Sequence, residues 1–371
     1  MLSELPYEVF DLILDFCTDE NKANFYKSYN KEIYDKAIKF NKKNILNKFY
    51  MPNTFVNSKL FVANNISIVL MEDIKCLENE TFKNIKNINL DFCDIFNENI
   101  DFLADLDIDI KKINFGLRYD TPVNKFPKFV DDIRLNPKFP INSSILPDSL
   151  RSLIISRYNS STISTFPENL EKICANSNNF PKNSALKKIF PNLIELDLTN
   201  AEKFDLENLP EKLKFVRLKF CTIRDEILNL PDSIEMLILD GYIHKLNKYP
   251  ASLKYLSIDC FLALPDLFKL NIEHLCINND ILKNIKAVPK TITHLSLKIS
   301  WFSTQSKLVI PENIEHLYLD TIELIDDIEF SSTVKYLHIP EYQYPRHKKI
   351  YERIIPSHIQ ICSYNKKFSK D

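Results

Sequence analysis

Residues Leu230–Leu239 read LPDSIEMLIL. Close copies return as LPDSLRSLII from Leu146, LPEKLKFVRL from Leu209, YPASLKYLSI from Tyr249, VPKTITHLSL from Val288 and IPENIEHLYL from Ile310. The shared frame is apolar-Pro-x-x-Φ-x-x-Φ-x-Φ. Counted from its first Φ, the frame falls at Ile85, Ile110, Val130, Leu150, Leu170, Leu193, Leu213, Ile234, Leu253, Ile272, Ile292, Ile314 and Val334, with a degenerate copy at Ile359. Most steps are about 20 residues, the spacing of stacked supersecondary units.

The apolar residues at Φ+3 and Φ+5 alternate with polar ones, so they point to one face of a short strand. A period in the 20s carrying LxxLxL predicts a leucine-rich-repeat-like solenoid in which each copy contributes one parallel strand and a return segment. One copy cannot bury its own apolar row. Stacking at a strand spacing of roughly 4.8 Å joins the rows into a core, and Leu237, Leu256, Leu275, Leu295, Leu317 and Leu337 are expected to form one column of it.

Pro127, Pro147, Pro167, Pro210, Pro231, Pro250, Pro289 and Pro311 stand three residues before Φ. Proline fixes φ and lacks an N–H, so it suits the turn that feeds a strand and not a laddered position. At Φ+8, where leucine-rich repeats often place Asn or Cys, the chain has Cys93, Asn178 and Cys221 but also Tyr158, Tyr242 and Ile322, so a ladder there is incomplete. The segments LPDSLRSL, LPDSIEML and IPENIEHL resemble the FNIP repeats known from amoebae and giant DNA viruses, over roughly residues 120 to 340.

The head of the chain has a different period. In LPYEVFDLILDFCTDENKANFYKSYNKEIYDKAIKF, Val9, Phe10, Ile13, Leu14 and Phe16 recur at helical spacing. Thr18-Asp19-Glu20 marks a break and a helix start before a second amphipathic stretch through Phe25, Tyr26, Tyr29, Ile33 and Tyr34. Leu5, Pro6 and Glu8, followed by the pairs Val9/Phe10 and Ile13/Leu14, resemble the opening of an F-box, the helical module that docks on the Skp1 adaptor of cullin-RING ubiquitin ligases. The resemblance implies that these seven residues bind a Skp1-like adaptor.

The expected fold class is therefore α+β, a small N-terminal helical F-box-like module followed by a leucine-rich-repeat-like parallel-strand solenoid. The expected boundaries are 1–45 for the helical module and 46–84 for a linker and N-terminal solenoid cap. The repeats follow over 85–362, then a basic tail over 363–371.

Composition narrows the function classes. The chain has 371 residues, 45% hydrophobic and 26% charged, with a net charge of −2, which gives no electrostatic reason for a nucleic-acid or anionic-membrane partner. Its two glycines, Gly116 and Gly241, cannot build a GxGxxG or GxxxxGK[ST] loop, so nucleotide enzymes of those types are excluded. The eight cysteines include no CxxC pair and read as reduced core residues. No basic, apolar leader opens the chain and no apolar run approaches the roughly 18 residues of a membrane span, so a cytoplasmic location is expected.

At Φ+2 the repeats align Phe215, Met236, Tyr255, His274, His294, His316 and Tyr336. Aromatics and Met are enriched in interface cores, so this stripe is the expected target-binding strand face; its alternative reading is satellite core beneath a flanking loop. Stacked strands place the three histidines roughly 5 Å apart. Imidazoles in a flat column converge poorly on a tetrahedral centre and no carboxylate or Cys is evidently aimed at them, so no metal ligands are assigned. The Φ+6 residues Asp240, Asp259, Asn278, Lys298 and Asp320 read as a solvated face, and no Ser/His/Asp order or nucleophile motif stands among them.

The expectation is a non-enzymatic substrate-recognition adaptor without cofactor, its head docking a Skp1-like adaptor of a cullin-RING ligase and its solenoid holding an unknown target. The alternative is an interaction or structural solenoid without a ubiquitin role, its helical head acting only as a cap.

Overall fold

The computed structural model describes residues 49–50, 65–68, 77, 87–136, 145–156, 165–176, 186–200, 209–219, 230–241, 248–258, 270–278, 288–298, 308–320, 328–341 and 354–364. The chain divides into two compact units, Met1–Pro181 and Lys182–Asp371. The proposed helical module, with Leu5, Pro6, Glu8, Val9, Phe10, Ile13 and Leu14, lies outside the described residues. Among those residues the α-helix is a single turn, α1 (Leu186–Ile189), so the described fold is a parallel β-solenoid and the α part of the expected α+β class falls where nothing is described.

In the first unit seven parallel strands pair in chain order: β1 (Phe49–Tyr50), β2 (Asn65–Ile68), β3 (Ile88–Phe92), β4 (Ile110–Asn114), β5 (Asp132–Leu135), β6 (Ser152–Ile155) and β7 (Lys172–Asn176). The ladder thus begins upstream of Ile85, inside the segment expected to be linker and cap. Those two strands lack the proline frame that marks later copies. Beside this sheet Phe92, Phe96, Phe115 and Tyr119 form a buried aromatic cluster, and the Tyr119 hydroxyl donates to the Glu98 carbonyl at 2.8 Å.

In the second unit nine strands do the same: β8 (Glu195–Thr199), β9 (Phe215–Lys219), β10 (Met236–Asp240), β11 (Tyr255–Ile258), β12 (His274–Asn278), β13 (His294–Lys298), β15 (His316–Leu319), β17 (Tyr336–Pro340) and β18 (Gln360–Tyr364). A separate parallel pair, β14 (Leu308–Val309) with β16 (Ile328–Glu329), lies on the return segments. The predicted leucine column is realised: Leu237, Leu256, Leu275, Leu295, Leu317 and Leu337 pair in register, each at most 1% exposed. A second buried row, Leu239, Ile258, Ile277, Leu297, Leu319 and Ile339, lies two residues on.

All eight frame prolines make the same turn. Each Pro carbonyl accepts the N–H of its Φ residue three positions later, at 3.0 to 3.3 Å, so the proline's fixed φ opens the tight turn that starts those eight strands. The residue before Φ then ties the repeat to the previous one. Ser149 donates to the Val130 carbonyl, Ser233 to Leu213, Asn313 to Ile292 and Thr333 to Ile314, at 2.6 to 3.0 Å. This polar column is the S/N/T that precedes Φ in the repeated strings.

Two further positions differ from expectation. The backbone-binding amide sits at Φ+6, not Φ+8: Asn136 is buried and its side-chain nitrogen donates to the carbonyls of Gly116 and Tyr119. Asn176, Thr199 and Asn278 are buried at the same position, which is therefore not a uniformly solvated face. In the last copy the turn closes on Ile359, yet Gln360 pairs with Tyr336, so that copy is one residue shorter than the frame predicts.

The two glycines stand where side chains would fail. A Cβ on Gly116 would overlap the Cys93 carbonyl, and Gly241 has a φ of 107°, a region L-residues avoid.

Candidate functional site

Strand alternation that sends Φ+3 and Φ+5 inward sends Φ+2 and Φ+4 outward. In the second unit the seven predicted stripe residues are brought into one register: Phe215 pairs with Met236, Met236 with Tyr255, Tyr255 with His274, His274 with His294, His294 with His316 and His316 with Tyr336. Met236 is exposed and the other six are half-buried.

Five of the seven form a continuous file of rings, tilted from Tyr255 to His294 and stacked from His294 to Tyr336. Ring centroids lie 6.1 Å apart for Tyr255–His274, 4.0 Å for His274–His294, 4.2 Å for His294–His316 and 4.6 Å for His316–Tyr336. A second, shorter stack runs beside it at Φ+4, where Tyr318 and His338 lie 4.0 Å apart with planes 7° from parallel. The two are joined by a 3.1 Å contact between His316 Nδ1 and His338 Nε2. The strand spacing near 4.8 Å matches ring-stacking distance, so residues of one type on successive strands stack by default. His338 and Tyr318 belong to the same face although they stand at Φ+4, where a ring pair on adjacent copies marks them.

Burial disfavours the charged imidazole, so the His274 pKa is lowered, against the pull of Glu273, and those of His294 and His338 fall to about 4. Neighbouring imidazoles reinforce the shifts of His294 and His338. These three rings are neutral at pH 7, each offering one donor and one acceptor nitrogen. Burial, with Cys276 and Asp240 adding to it, also pushes the Tyr255 phenol up, so it remains a neutral hydroxyl.

One carboxylate does face the column. Glu273 Oε1 lies 4.0 Å from His274 Nε2 and 4.0 Å from His294 Nδ1. The Φ spacing did not point to it, because Glu273 precedes the strand at the polar Φ+1 position. At the other end of the same face, Arg217 lies 3.7 Å from Asp197 and 3.8 Å from Asp240, which also pairs with Lys298 at 3.1 Å. Arg217 and Asp240 have side chains under 20% exposed. The face therefore offers a flat, partly apolar, ring-lined strip with neutral hydrogen-bonding nitrogens and a charged cluster at one end.

Among the described residues no helix is long and apolar enough to cross a membrane. No protein-family model matches the chain, and no curated protein does. Among solved structures it is similar to the crystal structure of CroV588, "a novel circular LRR protein structure", with 16% identity and a TM-score of 0.43 over 87% of this chain. The chain spans 59% of that protein's length.

Proposed function

We propose that this chain is a non-catalytic binding scaffold whose second unit takes a partner protein on the Φ+2 stripe from Phe215 to Tyr336. The observation that carries this reading is the continuous file of rings Tyr255–His274–His294–His316–Tyr336, which is half-exposed and locked ring against ring. Rings already fixed by stacking lose little side-chain freedom when covered, so they suit a pre-organised interface. Aromatic residues and Met at the centre with charge at one end match the usual anatomy of such a surface. The test is affinity capture from cells with wild-type chain and a Met236→Asp/Tyr336→Asp variant, both checked by circular dichroism. A set of proteins retained by the wild type and lost from the folded variant supports the scaffold. Equal capture by both rejects the stripe.

The finer proposal is that the scaffold serves a cullin-RING ubiquitin ligase in the cytoplasm. It rests on Leu5, Pro6, Glu8, Val9, Phe10, Ile13 and Leu14 as an F-box-like opening, and on sequence alone. In that role the chain supplies proximity while other subunits transfer ubiquitin. Pull-down with Skp1 tests it separately: binding by wild type and loss in Leu5→Asp/Pro6→Ala is expected, and no binding by wild type removes the ligase reading without touching the scaffold.

A further inference from the structure

A row of alternating charge borders the stripe at Φ+1. Main-chain hydrogen bonds link Lys214, Glu235, Lys254, Glu273, Thr293, Glu315 and Lys335 in that order, each N–H donating to the carbonyl of the member before it. Side chains pair along the row: Lys214–Glu235 at 3.4 Å, Lys254–Glu235 at 2.6 Å and Lys335–Glu315 at 2.9 Å. The first unit has the same pattern in Lys111, Asp131, Arg151 and Glu171, where Arg151 pairs with Glu171. Such alternation is expected on stacked strands, because like charges directly opposite each other are destabilising. Between Lys214 and Lys335 it fails once, at Thr293. There an uncharged residue separates Glu273 from Glu315, at the point where the histidines stand.

We propose that the cation missing from this row is a bound metal ion, and that Glu273, His274 and His294 form a site for a divalent transition metal of the zinc class. One donor atom from each of the three lies within 4.8 Å of the others. Two imidazoles and a glutamate are an established three-ligand set for zinc, with a fourth position left for water or a partner's side chain. Tetrahedral bonds near 2.05 Å place ligand atoms about 3.3 Å apart. From the 4.0 Å separations of Glu273 Oε1 from each ring, the carboxylate closes by a movement of under about one ångström, while the two ring nitrogens, within 4.8 Å of each other, close by up to about 1.5 Å with ring rotation. Glu273, 63% exposed, and His274, 38% exposed, have the room for it. Thr293 Oγ1 lies 2.9 Å from the same His294 Nδ1, so a metal at that nitrogen replaces this contact and the hydroxyl turns away. On the far side of Thr293, the Glu315 carboxylate feels the His294 and His316 rings and adds negative potential.

The experiment is calorimetric titration of the full chain with zinc chloride at pH 7, on wild type and on His274→Gln, His294→Gln and Glu273→Gln. His358→Ala serves as control, because His358 is an exposed histidine outside the cluster. Circular dichroism confirms the fold of each. The expected result is one saturable equivalent in the wild type and the control, weakened at least about tenfold in each of the other three. Zinc should also raise the melting temperature of the wild type but not of His294→Gln. Absence of saturable binding by wild type, or wild-type affinity in any one of the three cluster variants, overturns the site.

Discussion

His294 and His316 stand one strand apart with ring centroids 4.2 Å apart and planes only 5° from parallel. Around them lie His274, Tyr318, Tyr336 and His338, with Glu273 and Glu315 at the row's edge. An unfolded-chain histidine takes up its proton near pH 6.5, whereas folded His294 and His338 do so at about 4. Between these values the unfolded chain binds more protons, so stability rises with pH. The contribution is fully present above about pH 6.5 and is lost as the pH falls towards 4. Urea midpoints at pH 7 and pH 5 should therefore differ more for wild type than for a His294→Gln/His338→Gln variant, and an equal drop in both would show that the column does not titrate this way.

Leu295 is completely buried and pairs in register with Leu275 on one side and Leu317 on the other. Removing its side chain opens a void in the middle of the leucine column, where strands held by neighbours on both sides cannot collapse to refill it. Leu295→Ala should cost about 2–5 kcal/mol in a urea melt. A loss near zero would place the column outside the core of this unit.

The core was legible because solenoid geometry repeats: once Leu237 is inward, the register forces Leu256 to Leu337 inward with it, and the same rule lines up the stripe from Phe215 to Tyr336. Residues outside the strand were not legible in this way. Glu273 stands one residue before β12 in the Φ+1 row, and a polar residue at that position does not show in apolar spacing. The amide at Asn136 binds backbone at Φ+6 instead of Φ+8 because the chain bends away from the strand two residues earlier than assumed. Strands β1 and β2 fall outside the repeat frame because their segments carry no proline frame. The last copy slipped by one because Pro356 sets the turn while the pairing of Gln360 with Tyr336 sets the register.

Gly116 sits where the chain passes directly over the Cys93 carbonyl, in the turn whose own carbonyl accepts from Asn136. A methyl group there cannot be accommodated by rotating a side chain, since the obstacle is backbone. Gly116→Ala should destabilise the first unit by about 1–3 kcal/mol, the range for overpacking. Protection of the β3 and β4 amides from hydrogen exchange should fall with it. An unchanged exchange pattern would mean that the turn is free to move aside.

Thr293 is the interruption in an otherwise alternating row, with Glu273 and Glu315 as its neighbours along the ladder. Lysine at this position would restore the order + − + − + − + from Lys214 to Lys335, relieving the apposition of two carboxylates across one strand. Thr293→Lys should raise the melting temperature slightly at low ionic strength, and the gain should vanish near 1 M salt, where the screening length is about 3 Å. The same substitution sets an ammonium beside His294, so the His294 ring should become harder to protonate, seen as a downward shift of its titration by NMR. A melting temperature that falls at low salt would show that the carboxylates do not repel across Thr293, and that the gap in the row is not an electrostatic one.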